Sequence, residues 1–361
     1  MRSNEHVTGR GIPVHRKGTG WPVTLAHMRH DFLSRVPVWV WRGLMAHIGP
    51  GEERRINADP IDTVDYHLDI DYVGDHIRAH RLDVIVPHRS ETHPPLPVYV
   101  YFHGGGWTSG DKAALTKYCA SQAHGGMVVV NVNYRMATAF RMRHMLHDAN
   151  TALDWVHREI AKYGGDADNI VLGGDSAGGH IAAMLAATAT HPELAGHYDL
   201  ALSPGLRGLR GLVQHCSIVD LSVVFERGFI LSLNFIRMLL PSPARTGRRR
   251  NRLGAKARAL ALRKAAKFLS PIEWLHPAFP PVLVTTSERD YFYRANLNFV
   301  AALRRHSVPV ETLIFDRSNP RTDHTWQQDA RRPESQEVYR RLQSFVHLVT
   351  ARSHRPVLRD A

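Results

Sequence analysis

The feature that most narrows what this chain can fold into is a glycine-flanked serine, Gly174-Asp175-Ser176-Ala177-Gly178. It sits between a short apolar run, Asn169-Ile170-Val171-Leu172-Gly173, and an alanine-rich stretch from His180 to Ala187. Strand, sharp turn and helix form the setting in which a Gly-x-Ser-x-Gly serine is held clear of a sheet, because small neighbours let the backbone turn tightly. A second glycine turn, His103-Gly104-Gly105-Gly106-Trp107, follows the apolar run Pro97-Val98-Tyr99-Val100-Tyr101-Phe102. Its bare backbone N–H groups can surround a developing oxyanion. Either turn alone is a weak signal, and Ser176 alone reads equally as an ordinary turn serine. Their order, spacing and strand contexts together supply both halves of an acyl-transfer site.

Further short motifs extend the pattern. They are Ser109-Gly110-Asp111-Lys112, Asn133-Tyr134-Arg135, Asp148-Ala149 with Ala152-Leu153-Asp154-Trp155-Val156, and Gly165-Asp166-Ala167-Asp168. With the two glycine turns, they make residues 83–324 resemble an α/β-hydrolase of the hormone-sensitive-lipase type. The resemblance lies on the side of that group containing bacterial carboxylesterases and feruloyl-esterase-like proteins. It implies a mostly parallel eight-stranded sheet flanked by helices, with a cap inserted after strand 6. It implies serine esterase chemistry and names no substrate.

The resemblance implies a carboxylate and then a histidine after the serine, in that chain order. The run Pro281-Val282-Leu283-Val284-Thr285-Thr286 reads as a strand ending in Ser287-Glu288-Arg289-Asp290. Asp290 occupies the acid's place; Glu288 and Asp220, the latter on an earlier loop, are its rivals. The histidine is His324, in a loop after the strand-like run 310–315 and before a helix expected over 334–348. The chain has 24 histidines, so His144, His147, His180 and His215 are read as structural, and His103 as a brace for its own loop. Ser176 is then the nucleophile, His324 the general base and Asp290 the group that orients it. The N–H groups of Gly105, Gly106 and Ala177 form the oxyanion hole, supported by His103, Gly104, Trp107, Gly174 and Gly178. The chemistry needs no cofactor and no metal. The sequence offers no His-Glu-x-x-His and no Cys-x-x-Cys.

Composition fits one large α/β domain. Its 361 residues include 43% hydrophobic residues, enough for a sizeable core. Two cysteines, Cys119 and Cys216, form no disulfide framework and suit a reducing, cytoplasmic setting. No apolar stretch follows the first charges, so no signal peptide is expected. The apolar segments 36–48 and 229–240 are interrupted by polar residues and too short to span a bilayer. Residues 1–58 are expected to pack near the cap, over the active-site mouth, as family analogy implies. Residues 62–71 and 81–86 alternate like antiparallel edge strands. The hydrolase domain is expected over 59–351 with 219–272 as its cap, and 352–361 as a polar tail.

The basic balance is local. The net charge is +13, and residues 244–267 carry ten Lys or Arg with no Asp or Glu. An apolar stretch, Phe229-Ile230-Leu231 and Phe235-Ile236-Arg237-Met238-Leu239-Leu240, precedes them. One reading of 229–267 is a lid meeting an anionic membrane surface, which would make the protein peripheral to a membrane. The plainer reading is a cap helix packed on the acyl pocket beside a solvated basic loop. No aromatic interleaving or binding module points to nucleic acid. The expected partner is a small-molecule ester of short to medium acyl chain. The alternatives are an amidase or arylformamidase using the same residues, a lid-bearing lipase, and a catalytically dead binding protein, which should lack one of the three site residues. The sequence leaves the oligomeric state open.

Overall fold

The computed structural model describes residues 38–88, 94–226, 233–241 and 255–351. The expectations for the start of the chain, for 229–232, for most of the basic run and for the 352–361 tail lie outside them.

Helix α1 (Val38–Ile56) precedes strands β1 (Val64–Asp71), β2 (Arg81–Pro87) and β3 (Leu96–Phe102). Helix α2 (Thr116–His124) leads to β4 (Val128–Val132), and α3 (Met142–Glu159) to β5 (Gly165–Asp175). Then follow α4 (Ser176–Thr188), α5 (Pro192–His197) and β6 (Leu209–His215). Helices α6 (Leu233–Leu239) and α7 (Ala255–Ala266) come before β7 (Val282–Ser287). Helix α8 (Tyr293–Arg305), β8 (Val310–Phe315) and α9 (Pro333–Ala351) are the last elements among the described residues.

The eight strands form one sheet in the order β1-β2-β4-β3-β5-β6-β7-β8. The β1–β2 and β2–β4 pairings are antiparallel, and those from β4 to β8 are parallel. The eight-stranded, mostly parallel sheet expected from the resemblance is therefore present. Of the two expected edge strands only β1 is an edge, because β2 pairs on both sides.

Period-2 alternation sends β3 side chains to two different cores. Val98, Val100 and Phe102 pack with α3 and α4 on one face. Tyr99 and Tyr101 pack with α2 and α9 on the other. With both faces covered, the central strands read as near-continuous apolar runs, as in the fully buried Val128–Val132. This arrangement carries the carboxyl ends of β3, β5 and β7 to the same edge of the sheet, where ligand crevices form in open parallel sheets.

Among the described residues, no helix is long and apolar enough to cross a membrane. The described part of 233–241 faces inward: Phe235, Ile236 and Leu239 are buried in the α3/α4 core. The Arg141 guanidinium donates to the Met238 and Leu240 carbonyls at 3.2 and 2.9 Å.

Candidate active site

Ser176 lies where β5 meets α4. Its backbone sits at φ 50°, in the left-handed region, a conformation costly for a residue with a Cβ and often found at functional turns. The turn closes because Gly178 has no side chain. A Cβ there would fall 2.0 Å from the Phe102 carbonyl oxygen and 2.4 Å from that of His103. The nucleophile turn and the glycine loop are thus packed backbone to backbone.

His324 Nε2 lies 3.0 Å from Ser176 Oγ, and Nδ1 lies 2.6 Å from Asp290 Oδ1. These partners assign the proton to Nδ1, which donates to the carboxylate, and leave Nε2 to accept from the serine. Asp290 Oδ2 accepts from Thr286 Oγ1 at 3.1 Å, so both oxygens of this buried carboxylate are engaged. The Ser287 hydroxyl donates to the Thr322 carbonyl, tying the end of β7 to the loop that carries His324. Phe292 and Tyr291 each place a ring 5.4 Å from the imidazole.

The rival acids lie elsewhere. Asp220 caps the turn Leu221–Phe225 through Ser222 N at 2.8 Å and accepts from Asn298 at 2.7 Å. Glu288 accepts from Arg317 N at 3.2 Å.

Gly105 holds φ 112° and Gly106 φ 61°. A Cβ on Gly105 would meet the Ser109 carbonyl oxygen at 2.0 Å, so that position accepts only glycine. Ser109 Oγ donates to the Gly105 carbonyl at 2.9 Å, which pins the loop at that oxygen. Gly104, Gly105 and Gly106 line the same cavity of about 560 Å³ as Ser176 and His324. Ala177 is fully buried directly after the serine.

The supporting residues are braced as well. His103 stacks on Tyr134 at 4.6 Å and donates from Nδ1 to the Gly104 carbonyl at 2.7 Å; burial lowers its pKa. Trp107 Nε1 donates to His180 Nδ1 at 3.3 Å, and His180 Nε2 donates to the Leu269 carbonyl at 2.5 Å. His180 therefore bridges the glycine loop, the nucleophile helix and the segment after α7. Burial lowers it to about 4, so it bridges as the neutral ring. His215 bonds Tyr118 and Thr285 within the core. His147 donates to the Tyr198 carbonyl, and His144 accepts from Arg141 N at the start of α3.

The sequence reading assigned no role to Asp175, the residue before the serine. Its buried carboxylate accepts from Tyr101 Oη at 2.5 Å, Gly104 N at 3.0 Å and Gln328 Nε2 at 3.0 Å. One side chain thereby joins β3, the glycine loop and the loop after His324. Burial raises its pKa, and the Tyr101 hydrogen bond opposes that rise. Asp175 was visible as the x of the motif, but Gln328 carried no signal, since only folding brings it near.

The cavity also departs from the expectation that cap residues line the pocket. Among the described residues, none from 219–272 lines it. One wall is α1, through Arg42, Met45, Ala46, Gly49, Glu52, Glu53 and Ile56. Arg55 fixes that helix by pairing with Asp329 at 2.6 Å. Hydrogen bonds from Arg331, with help from Arg55, hold the Asp329 carboxyl well below the usual range. Asn57 adds bonds to Ala113 O at 2.7 Å and Lys117 N at 3.0 Å.

Among the described residues, the grouping of metal-ligand side chains is Cys216, Asp290 and His324, with ligand atoms within 4.8 Å of one another. The imidazole–carboxylate hydrogen bond already joins two of the three. Burial pushes the Cys216 thiol well up, keeping it protonated.

The BD-FAE family model matches residues 82–296, more than half of the chain. Carboxylesterase NlhH of Mycobacterium tuberculosis is 41% identical over 92 residues, covering 25% of this chain and 29% of the relative. Esterase LipQ of the same organism is 29% identical over 200 residues, covering 54% of this chain and 42% of the relative. The chain thus spans less than half the length of these curated relatives. Among solved structures, Esterase B from Lactobacillus rhamnosis superposes with a TM-score of 0.73 at 19% identity, covering 88% of this chain and 97% of its own. A hyperthermophilic esterase from Pyrobaculum calidifontis gives 0.59 at 20% identity, covering 90% and 98%. At those identities the likeness concerns the fold, and the fold is that of an α/β-hydrolase.

Proposed function

The chain belongs to the BD-FAE family of α/β-hydrolases, and from that premise we propose that it is a serine carboxylesterase acting on short- to medium-chain acyl esters. The observation carrying this reading is the hydrogen-bonded series Ser176–His324–Asp290, opening on a cavity shared with Gly105 and Gly106.

His324 Nε2 takes the proton from Ser176 Oγ as that oxygen attacks the ester carbonyl carbon. The carbonyl oxygen becomes an oxyanion within reach of the Gly105, Gly106 and Ala177 N–H groups. Losing one donor of this kind costs about 3–4 kcal/mol of barrier. Asp290 stabilises the imidazolium and keeps the ring in register. The intermediate collapses, His324 returns the proton to the leaving alcohol, and an acyl group stays on Ser176. Water, deprotonated by His324, then releases the acid and restores the serine. Asp175 holds Gly104 in place through the cycle.

We read residues 59–351 as the hydrolase domain and 219–272 as its cap. The wall that α1 contributes supports the reading of 1–58 as a segment over the site. The buried free thiols of Cys119 and Cys216 support a reducing, cytoplasmic setting.

The test is turnover of p-nitrophenyl esters from acetate to palmitate beside matched anilides. The reading expects a maximum at short to medium chains, anilides far slower, and no turnover in Ser176→Ala. Anilides cleaved as fast as esters would make the protein an amidase. Activity appearing only above the solubility limit of long-chain substrates would make it an interfacial lipase.

A further inference from the structure

We propose that a second cavity, between the turn Leu221–Phe225 and the C-terminal end of α7, binds a phosphomonoester group. The cavity has a volume of about 320 Å³ and shares no lining residue with the one beside Ser176. Arg263, Lys264 and Lys267 converge on it, together with the hydroxyl residues Ser222 and Ser270 and one carboxylate, Glu273.

Most arginines on the described surface meet a carboxylate; nearby, Arg294 pairs with Glu226 at 3.0 Å. Among the described residues no such ion pair engages the three cations of this cavity. Two of them are positioned by aromatic rings instead. The Arg263 guanidinium lies 5.1 Å from the Phe225 ring centre, and Lys267 Nζ lies 5.5 Å from that of Trp274. A ring face holds a cation in place without neutralising it.

The surrounding frame is fixed. Trp274 Nε1 donates to the Lys267 carbonyl at 2.9 Å, and Leu221 N donates to Ser270 Oγ at 3.0 Å. Among the described lining residues, three cations against Glu273 leave a net charge of two positive. A phosphomonoester near neutral pH carries about −1.5 to −2 and three acceptor oxygens. It would satisfy those charges through short charge-assisted hydrogen bonds, whereas a carboxylate or phosphodiester would satisfy one.

Such a group can arrive free in solution, as phosphate or a phosphorylated small molecule, or on the headgroup of a membrane lipid. Phe235, Ile236 and Leu239 face inward, so these three side chains are not offered to a membrane.

The test uses the full chain. Inorganic phosphate is titrated calorimetrically, and vesicles of phosphatidylcholine doped with phosphatidic acid or with phosphatidylglycerol, at matched surface charge, are sedimented with the protein. Wild type should bind phosphate, phosphatidic acid vesicles, or both, saturably. Phosphate alone indicates a soluble ligand, and the vesicles alone a headgroup. Replacing all three cations (Arg263→Gln, Lys264→Gln, Lys267→Gln) should weaken that binding about tenfold or more. The companion triple replacement of Arg248, Arg249 and Arg250 by Gln, outside the described residues, should leave phosphate binding intact. Glu273→Gln should tighten it, a direction that misfolding cannot produce. No saturable binding to either probe would overturn the proposal. So would equal losses in the two triple variants, or equal binding to both doped vesicles, since either outcome reports diffuse charge rather than this cavity.

Discussion

The one Cβ that Gly178 does not have explains more of this site than most of the atoms present. Its missing side chain lets β3 and α4 approach until a Cβ would overlap two backbone carbonyl oxygens. Backbone cannot move aside as a flexible side chain can. Gly178→Ala should therefore lower stability by several kcal/mol, at the exceptional end of single substitutions, about 4 or more. Chemical denaturation of the variant against wild type checks this, and a loss below about 1 kcal/mol would contradict the packing described. The Asp290 assignment is tested without disturbing shape. Asp290→Asn should cut kcat about a thousandfold or more with a normal melting curve, because the ring loses its tautomer and its counter-charge. Asp220→Asn, altered at a helical cap and a bond to Asn298, should keep near-normal turnover. The reverse pattern would move the acid to the earlier loop.

Helix α1 is the element whose part was hardest to anticipate. An apolar segment was visible before residue 48, but Gly49-Pro50-Gly51 reads as its end. The helix instead runs on to Ile56 with Pro50 inside it, because Arg55 and Asn57 hold its far end on Asp329 and Ala113. Those bonds join positions far apart in the chain, so no local pattern announces them. The same reason hid the Asp175–Gln328 bond, and it put α1 rather than the cap on the cavity wall. Strands β3, β5 and β7 were legible because each is a compact apolar run stopped by glycines or polar residues. The site residues at their ends were legible with them. Releasing α1 should alter substrate handling more than chemistry. Arg55→Gln removes a partly exposed ion pair worth about 0.2–1 kcal/mol. It should raise KM for a medium-chain ester roughly two- to fivefold while leaving kcat near wild type. A collapse of kcat with KM unchanged would place α1 in the chemistry instead.

For the molecule as a whole, two cores share one sheet, and each encloses a neutral histidine. Burial lowers His215 to about 3 and His180 to about 4. The unfolded chain takes up protons near pH 6.5, where these rings do not. Their contribution to stability is thus fully present above about pH 6.5 and is lost as pH falls toward 4. His80 works in the opposite sense. The Asp148 carboxylate 3.3 Å from its Nε2 and the hydrogen bond to Asp75 raise it, so its contribution is present below about 6.5 and fades at higher pH. Burial lowers His103, His144 and His197 as well, so the lowered rings outnumber His80, and unfolding free energy measured from pH 7 to 4.5 should fall. His215→Asn should flatten that slope, and an unchanged slope would contradict the account. An activated Ser176 that becomes acylated leaves a more direct mark. Wild-type protein treated with a fluorophosphonate should gain the mass of a single adduct, located by peptide mapping on Ser176. Ser176→Ala, melting normally, should gain none. Wild type left unmodified, or Ser176→Ala labelled as readily as wild type, would contradict that activation.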